Sequence, residues 1–160
     1  MLIFALDAAG DHKTPILTVA GFASSACDWQ MFSEQWISRL KQDDIEFFHA
    51  VDLAAFRGPF QHWRNRTDRA KLQQSLSADL MAILKRHVYT RVACTIVNKQ
   101  FEHMDENLRE AFSLCAYSLA GRTCEKHARE WVFRDNMPGK GAPVEIVFEA
   151  GDKGKGNLQK

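Results

Sequence analysis

A chain of 160 residues is of the size that one hydrophobic core commonly serves. Hydrophobic side chains make up 46% and charged ones 26%, which argues against disorder. The formal charge of +1 excludes a protein held on nucleic acid by bulk charge alone and leaves room for a local basic patch.

No apolar run approaches the roughly 20 residues that cross a bilayer, so no membrane association is expected. The opening residues Met1 to Gly10 carry Asp7 and lack a basic leader, which argues against a signal peptide. Cys27, Cys94, Cys115 and Cys124 show no short paired spacing. They read as reduced, mostly buried thiols of a cytoplasmic protein.

In chain order, Leu2–Leu6 is an apolar run ending at Asp7, and Ile16–Phe22 is a second, β-branched run. The polar residues and glycine between them predict an antiparallel hairpin. Ser24 or Ser25 then caps a helix carrying Trp29, Phe32, Trp36 and Leu40 at helical spacing. Ile45, Phe47 and Phe48 form a short extended piece closing on His49, and Val51–Phe56 a helical turn that Gly58-Pro59 breaks. From Thr67, Leu72, Leu76, Leu80, Ile83 and Leu84 predict a second helix, followed by a strand through Val88, Tyr89, Val92, Ile96 and Val97. Leu108, Phe112, Cys115 and Leu119 predict a third helix running toward Trp131. Val144–Phe148 predicts the last strand. Helices interleaved with apolar strands imply an α/β fold in one domain over residues 1–160, a mixed sheet covered by helices.

Two carboxylates, Asp7 and Glu149, each follow an apolar strand. Strand ends in open α/β sheets are where functional side chains gather. If the first and last strands are neighbours, the two carboxylates can share a hard divalent cation such as Mg²⁺. On pattern alone, two solvated carboxylates at strand ends are the simpler account.

His49 lies in an aromatic context that predicts partial burial. It suits a general base, a metal neighbour or a phosphate ligand, and also a hydrogen-bonded core histidine. Asp52 either orients it or caps the helical turn that follows, capping being the simpler account.

Between Phe56 and Lys71 stand Arg57, Arg64, Arg66, Arg69 and Lys71 against the single acid Asp68, interleaved with Phe60, His62 and Trp63. Cations position phosphates and exposed aromatics stack on bases. A solvated loop with Trp63 buried gives the same composition.

Cys124 and His127 are three apart on a predicted helix, but no second pair completes a zinc site. Gly151–Gly156 lacks the Lys and Ser/Thr of a phosphate-binding loop. A Gly-x-Ser-x-Gly elbow and a His-Glu-x-x-His helix are both absent.

Several short motifs occur together in order. They are Leu6-Asp7-Ala8-Ala9-Gly10-Asp11, Ala20-Gly21-Phe22, Trp36, Phe48-His49-Ala50 with Asp52-Leu53, and Val147-Phe148-Glu149-Ala150-Gly151-Asp152. In this order and spacing, over essentially the whole chain, the sequence resembles the bacterial and phage family known as domain of unknown function 3800. That resemblance implies a ribonuclease H-like mixed β-sheet flanked by α-helices and a metal-dependent nuclease acting on nucleic acid. Asp7 and Glu149 would ligate Mg²⁺ or Mn²⁺, and His49 would be an active-site residue. In a nuclease of this kind the basic stretch read above, Arg57, Arg64, Arg66, Arg69 and Lys71, would contact the nucleic-acid backbone.

Two departures bear on activity. Ala8 stands where the family has Glu, and the family's Leu-Gln-x-Ala-Asp-x-x-Ala helix is not found before Lys160. The chain is therefore expected to be C-terminally truncated, with an apolar sheet face that a second copy would cover. The alternative expectation is a non-catalytic descendant that binds nucleic acid or a partner protein.

Overall fold

A computed structural model describes residues 1–112, 115–133 and 141–148. The chain divides into two compact units, one of residues 1–26 and 89–160, the other of residues 27–88.

The first unit is built on a four-stranded mixed sheet. Its strands are β1 (Leu2–Ala9), β2 (Ile16–Ser25), β3 (Thr90–Val97) and β4 (Val144–Phe148), in the order β3-β2-β1-β4. β1 and β2 pair antiparallel, as do β2 and β3, while β4 runs parallel to β1. The predicted hairpin and strands are thus present. The sheet order comes from pairings between residues far apart in the chain.

Alternation along the strands decides what each face does. Leu2, Phe4 and Leu6 of β1, Leu17, Val19 and Ala23 of β2, and Val92 of β3 are buried on one face. The long helix Ala116–Val132 packs there against β2 and β3. Its buried residues Tyr117, Ala120, Gly121, Cys124, Ala128, Trp131 and Val132 recur at helical spacing. Several are small, which lets the backbone approach the sheet. Cys124 is fully buried, and its thiol donates to the Val19 carbonyl at 3.4 Å. Burial pushes that thiol up to about 11. All four cysteines are free thiols; Cys27 is exposed, and Cys94 and Cys115 are half-buried.

The β1–β2 connection is tied by a buried amide. Asn98 donates from Nδ2 to the carbonyls of Asp11 and Thr14, both at 2.7 Å. Its own N–H donates to Pro15 at 3.1 Å. Asn98 opens the short helix Asn98–Glu102 that follows β3, so β3 and the hairpin loop are fastened together.

The expected continuous helix through Leu108, Phe112, Cys115 and Leu119 is corrected to two pieces. Glu106–Glu110 is a single short helix, N-capped by the Asp105 side chain, which accepts from Asn107 N–H. Cys115 is extended, at φ −128° and ψ 119°, and serves as the N-cap of Ala116–Val132. In chain order the helices are α1 (Ala26–Lys41), α2 (Ala50–Ala55), α3 (Arg69–His87), α4 (Asn98–Glu102), α5 (Glu106–Glu110) and α6 (Ala116–Val132).

The second unit is helical. It holds α1 from its second residue onward, α2, a 3-10 helix over Gly58–Trp63, and α3. Its core joins Leu40, Ile45, Leu53, Phe60, Trp63, Leu76 and Leu80. A run of aromatic contacts threads it: Trp29 to Phe32, Phe32 to Trp36, Trp36 to Phe48, Phe48 to Phe60 and Phe60 to Trp63. Ring centroids along this run are 5.1 to 6.2 Å apart, the range of favourable aromatic pairs. The half-buried Arg39 fastens α1 to α3, donating to Asp43 at 2.7 Å and to Asp79 at 2.8 Å. No helix among the described residues is long and apolar enough to cross a membrane.

Candidate functional site

The face of the sheet opposite α6 carries the first candidate. Asp7 and Ala20 are direct partners, and Ala20 in turn faces Ala93. Strand parity therefore puts Ala5, Asp7, Ala20, Phe22, Arg91 and Ala93 on one side of the sheet. They line a concavity of about 580 Å³ whose floor is largely alanine, with Thr18 and Ala9 completing one end. Asp7 and Arg91 are its charged lining residues, and both are exposed. One Asp7 oxygen accepts the N–H of Ala8 at 2.6 Å, which fixes the carboxylate close to the strand's end.

Arg91 is a residue that the sequence reading passed over. Its signal was available: in Thr90-Arg91-Val92-Ala93 the arginine shares parity with Ala93 and interrupts a β-branched run. Its strand partner is Phe22.

The ladder between β1 and β4 is described as far as the pair Leu6–Phe148. Asp7 follows Leu6 in sequence and Glu149 follows Phe148. Glu149 lies outside the described residues, as do Gly151–Gly156. Among the described residues no three His, Cys, Asp or Glu side chains converge as a metal-binding group. Asp7 alone supplies one exposed oxygen donor.

His49 is the second candidate, and its environment differs from the expectation. The aromatic context belongs to Phe48, which packs between Trp36 and Phe60. His49 itself points outward, with a side chain 58% exposed. Anchoring Phe48 in the core turns its neighbour to solvent, so partial burial is corrected to exposure.

The role of Asp52 is also corrected. His49 is the N-cap residue of α2, with no side-chain cap hydrogen bond there, and Asp52 lies within the helix. The Asp52 carboxylate accepts from His49 Nδ1 at 2.9 Å and from Arg57 Nε at 2.6 Å. These partners, Arg57 first and His49 second, hold its carboxyl below the usual range. Asp52 orients His49 rather than capping the helix.

The backbone makes this cluster. Phe56, at the end of α2, adopts the left-handed region with φ 48° and ψ 54°. A bulky side chain there is costly, so the surroundings must hold it. Phe56 packs against the core of its unit, with the Arg69 guanidinium 5.4 Å from its ring centroid. The turn returns Arg57 to Asp52, whose carbonyl accepts the Arg57 N–H at 3.0 Å. Gly58 continues the turn at φ 54°.

In the basic stretch the aromatics are structural. Phe60 and Trp63 are buried at 0% and 2% exposure, which removes Trp63 from base stacking. Three of the five cations are engaged internally: Arg57 with Asp52, Arg66 with both oxygens of Asp68, and Arg69 with the Arg64 carbonyl and the Phe56 ring. Arg64 and Lys71 make no side-chain ion pair among the described residues. On α6, Cys124 is buried whereas His127 is exposed. Comparison of the chain with protein-family models, with curated proteins and with solved structures gives no match.

Proposed function

We propose that the chain is a metal-dependent phosphodiesterase of ribonuclease H-like type that acts on nucleic acid, with Asp7 and Glu149 as the ligands of Mg²⁺ or Mn²⁺. The observation that carries this reading is an exposed carboxylate in the C-terminal part of β1, one residue past the Leu6–Phe148 pair of a parallel neighbour. The sequence resemblance calls for carboxylates on the first and fourth strands, and β1 and β4 are adjacent. The reading requires Glu149, which follows Phe148 in sequence, to share a cation with Asp7.

A bound divalent cation supplies charge neutralisation at the phosphate and an activated water. Asp7 contributes a fixed oxygen donor, its carboxylate steadied by the Ala8 N–H. Arg91 offers a guanidinium to phosphate oxygens over the same concavity, and the alanine floor leaves room for a strand of nucleic acid. In the helical unit, Arg64 and Lys71 add sequence-independent attraction to the backbone.

The test is incubation of the purified chain and Asp7→Asn with DNA, RNA and hybrid substrates, with Mg²⁺, Mn²⁺ or chelator. Cleavage that needs metal and is lost in Asp7→Asn supports the reading. Binding with a steep salt dependence and no turnover replaces it with the non-catalytic descendant.

A further inference from the structure

We propose that His49, Asp52 and Arg57 form a recognition site for a phosphate carrying an ionisable proton, inorganic phosphate or a terminal phosphomonoester. Arg57 holds the oxyanion and His49 exchanges the proton.

An ionised carboxylate only accepts hydrogen bonds, so the His49 Nδ1 that lies 2.9 Å from Asp52 Oδ2 must carry a hydrogen. The neutral imidazole is then the Nδ1–H tautomer, and its lone pair is on Nε2. The other oxygen, Oδ1, takes Arg57 Nε at 2.6 Å, and among the described residues both Nη groups of the guanidinium are left for a ligand. Asp52 is the more enclosed partner, at 19% exposure, while the His49 and Arg57 side chains are 58% and 59% exposed. One recessed carboxylate thus holds two outward-facing groups, a proton acceptor and a fork of donors. The anchored Phe48 ring and the left-handed turn at Phe56 fix the backbone on either side.

The chemistry of the pair selects the ligand. Against the neutral imidazole, a carboxylate or sulfate, which has no proton near neutral pH, would set its lone pairs against the lone pair of Nε2. A phosphate monoester ionises for the second time near pH 6, so close to neutrality part of it is the monoanion. Its P–OH donates to Nε2 while its other oxygens accept from Arg57. On transfer the O–H bond breaks and an N–H bond forms at Nε2, giving the phosphate dianion beside an imidazolium. Asp52 then faces a full positive charge on His49.

The experiment is NMR of the imidazole nitrogens of the full chain near pH 7 with a chelator present, His49 being assigned from His49→Gln. A failure of the metal-site reading therefore leaves it unaffected. The expected result is an Nδ1–H tautomer for neutral His49 and a saturable movement of the Nε2 resonance with inorganic phosphate but not with sulfate. Arg57→Gln weakens phosphate binding about tenfold, the loss of roughly one charge-assisted pair, and Arg57→Lys restores part of it. Asp52→Asn releases the tautomer preference. An oligonucleotide with a 5′-phosphate, set against the same strand without it, distinguishes a nucleic-acid end from free phosphate as the source. An Nε2–H tautomer in the unaltered chain, equal responses to phosphate and sulfate, or unchanged phosphate binding in Arg57→Gln would each overturn the proposal.

Discussion

Leu6 is paired with Phe148 on the parallel strand β4 and with Gly21 on the antiparallel strand β2, so both neighbours of β1 fix the position from which Asp7 projects. Gly21 is required at that crossing. A Cβ there would run into the Ala5 carbonyl and come within 2.7 Å of Leu6 Cδ2. Backbone cannot yield as a flexible side chain can. Gly21→Ala is therefore expected to destabilise the sheet at or above the upper end of the about 1–3 kcal/mol typical of overpacking. Urea unfolding measures it, and a midpoint equal to that of the parent would contradict the close approach of β1 and β2.

Asn98 carries a different kind of constraint. Asn98→Ala removes two donors from the Asp11 and Thr14 carbonyls without changing strand propensity. The expected cost is about 1–3 kcal/mol, from partners left unsatisfied. Faster amide hydrogen exchange should appear in the hairpin loop before it appears in α6.

Asp52 makes stability depend on pH in a stated direction. Its folded-state carboxyl is held below the ordinary value by Arg57 and His49. A depressed carboxyl stabilises the fold above its unfolded pKa of about 3.9, and that contribution is lost as pH falls through the lower, folded value. Asp52→Asn should therefore unfold more easily than the parent at pH 6, and the gap should close in strong acid. Urea midpoints across the acid range check this; a gap that widens on acidification has the wrong sign.

Arg64 and Lys71 separate a binding face from a merely charged one. Each engages a phosphate in the proposed reading, so Arg64→Gln and Lys71→Gln should each lower the salt dependence of nucleic-acid binding by about one unit of slope, uniformly across sequences. Arg66 is committed to Asp68, so Arg66→Gln should change the slope less. Filter binding at several salt concentrations gives all three values. Equal slopes throughout would remove this stretch from the interface.

The strands were legible because apolar residues there come in short β-branched runs, and α1 and α3 because theirs recur at helical spacing. The order of the strands was not, since β1–β4 and β2–β3 contacts join distant parts of the chain. The break before α6 was hidden because Leu108, Phe112, Cys115 and Leu119 keep helical spacing across it, with no Gly or Pro to mark it. A tertiary contact closes α5 instead: Arg122 donates to the Ala111 carbonyl at 3.2 Å and lies 5.9 Å from the Phe112 ring centroid. Asp7 was legible because it closes the apolar run Leu2–Leu6, but it lies inside β1 rather than after it, since Ala8 and Ala9 continue the pairing with β2. The Asp52–Arg57 bond was not, because it depends on a left-handed phenylalanine that local propensity disfavours. Phe56, Phe60 and Trp63 are helically spaced, a signal of burial that the surrounding arginines obscured.

The most direct test of the central claim is calorimetric titration of Mg²⁺ and Mn²⁺ into the parent chain, Asp7→Asn and Glu149→Gln. The account predicts saturable binding in the parent and an affinity at least about tenfold weaker in each variant, as loss of one of two carboxylates from a hard-cation site implies. Binding that both variants retain, or no binding at millimolar metal, would contradict a shared carboxylate site at the ends of β1 and β4.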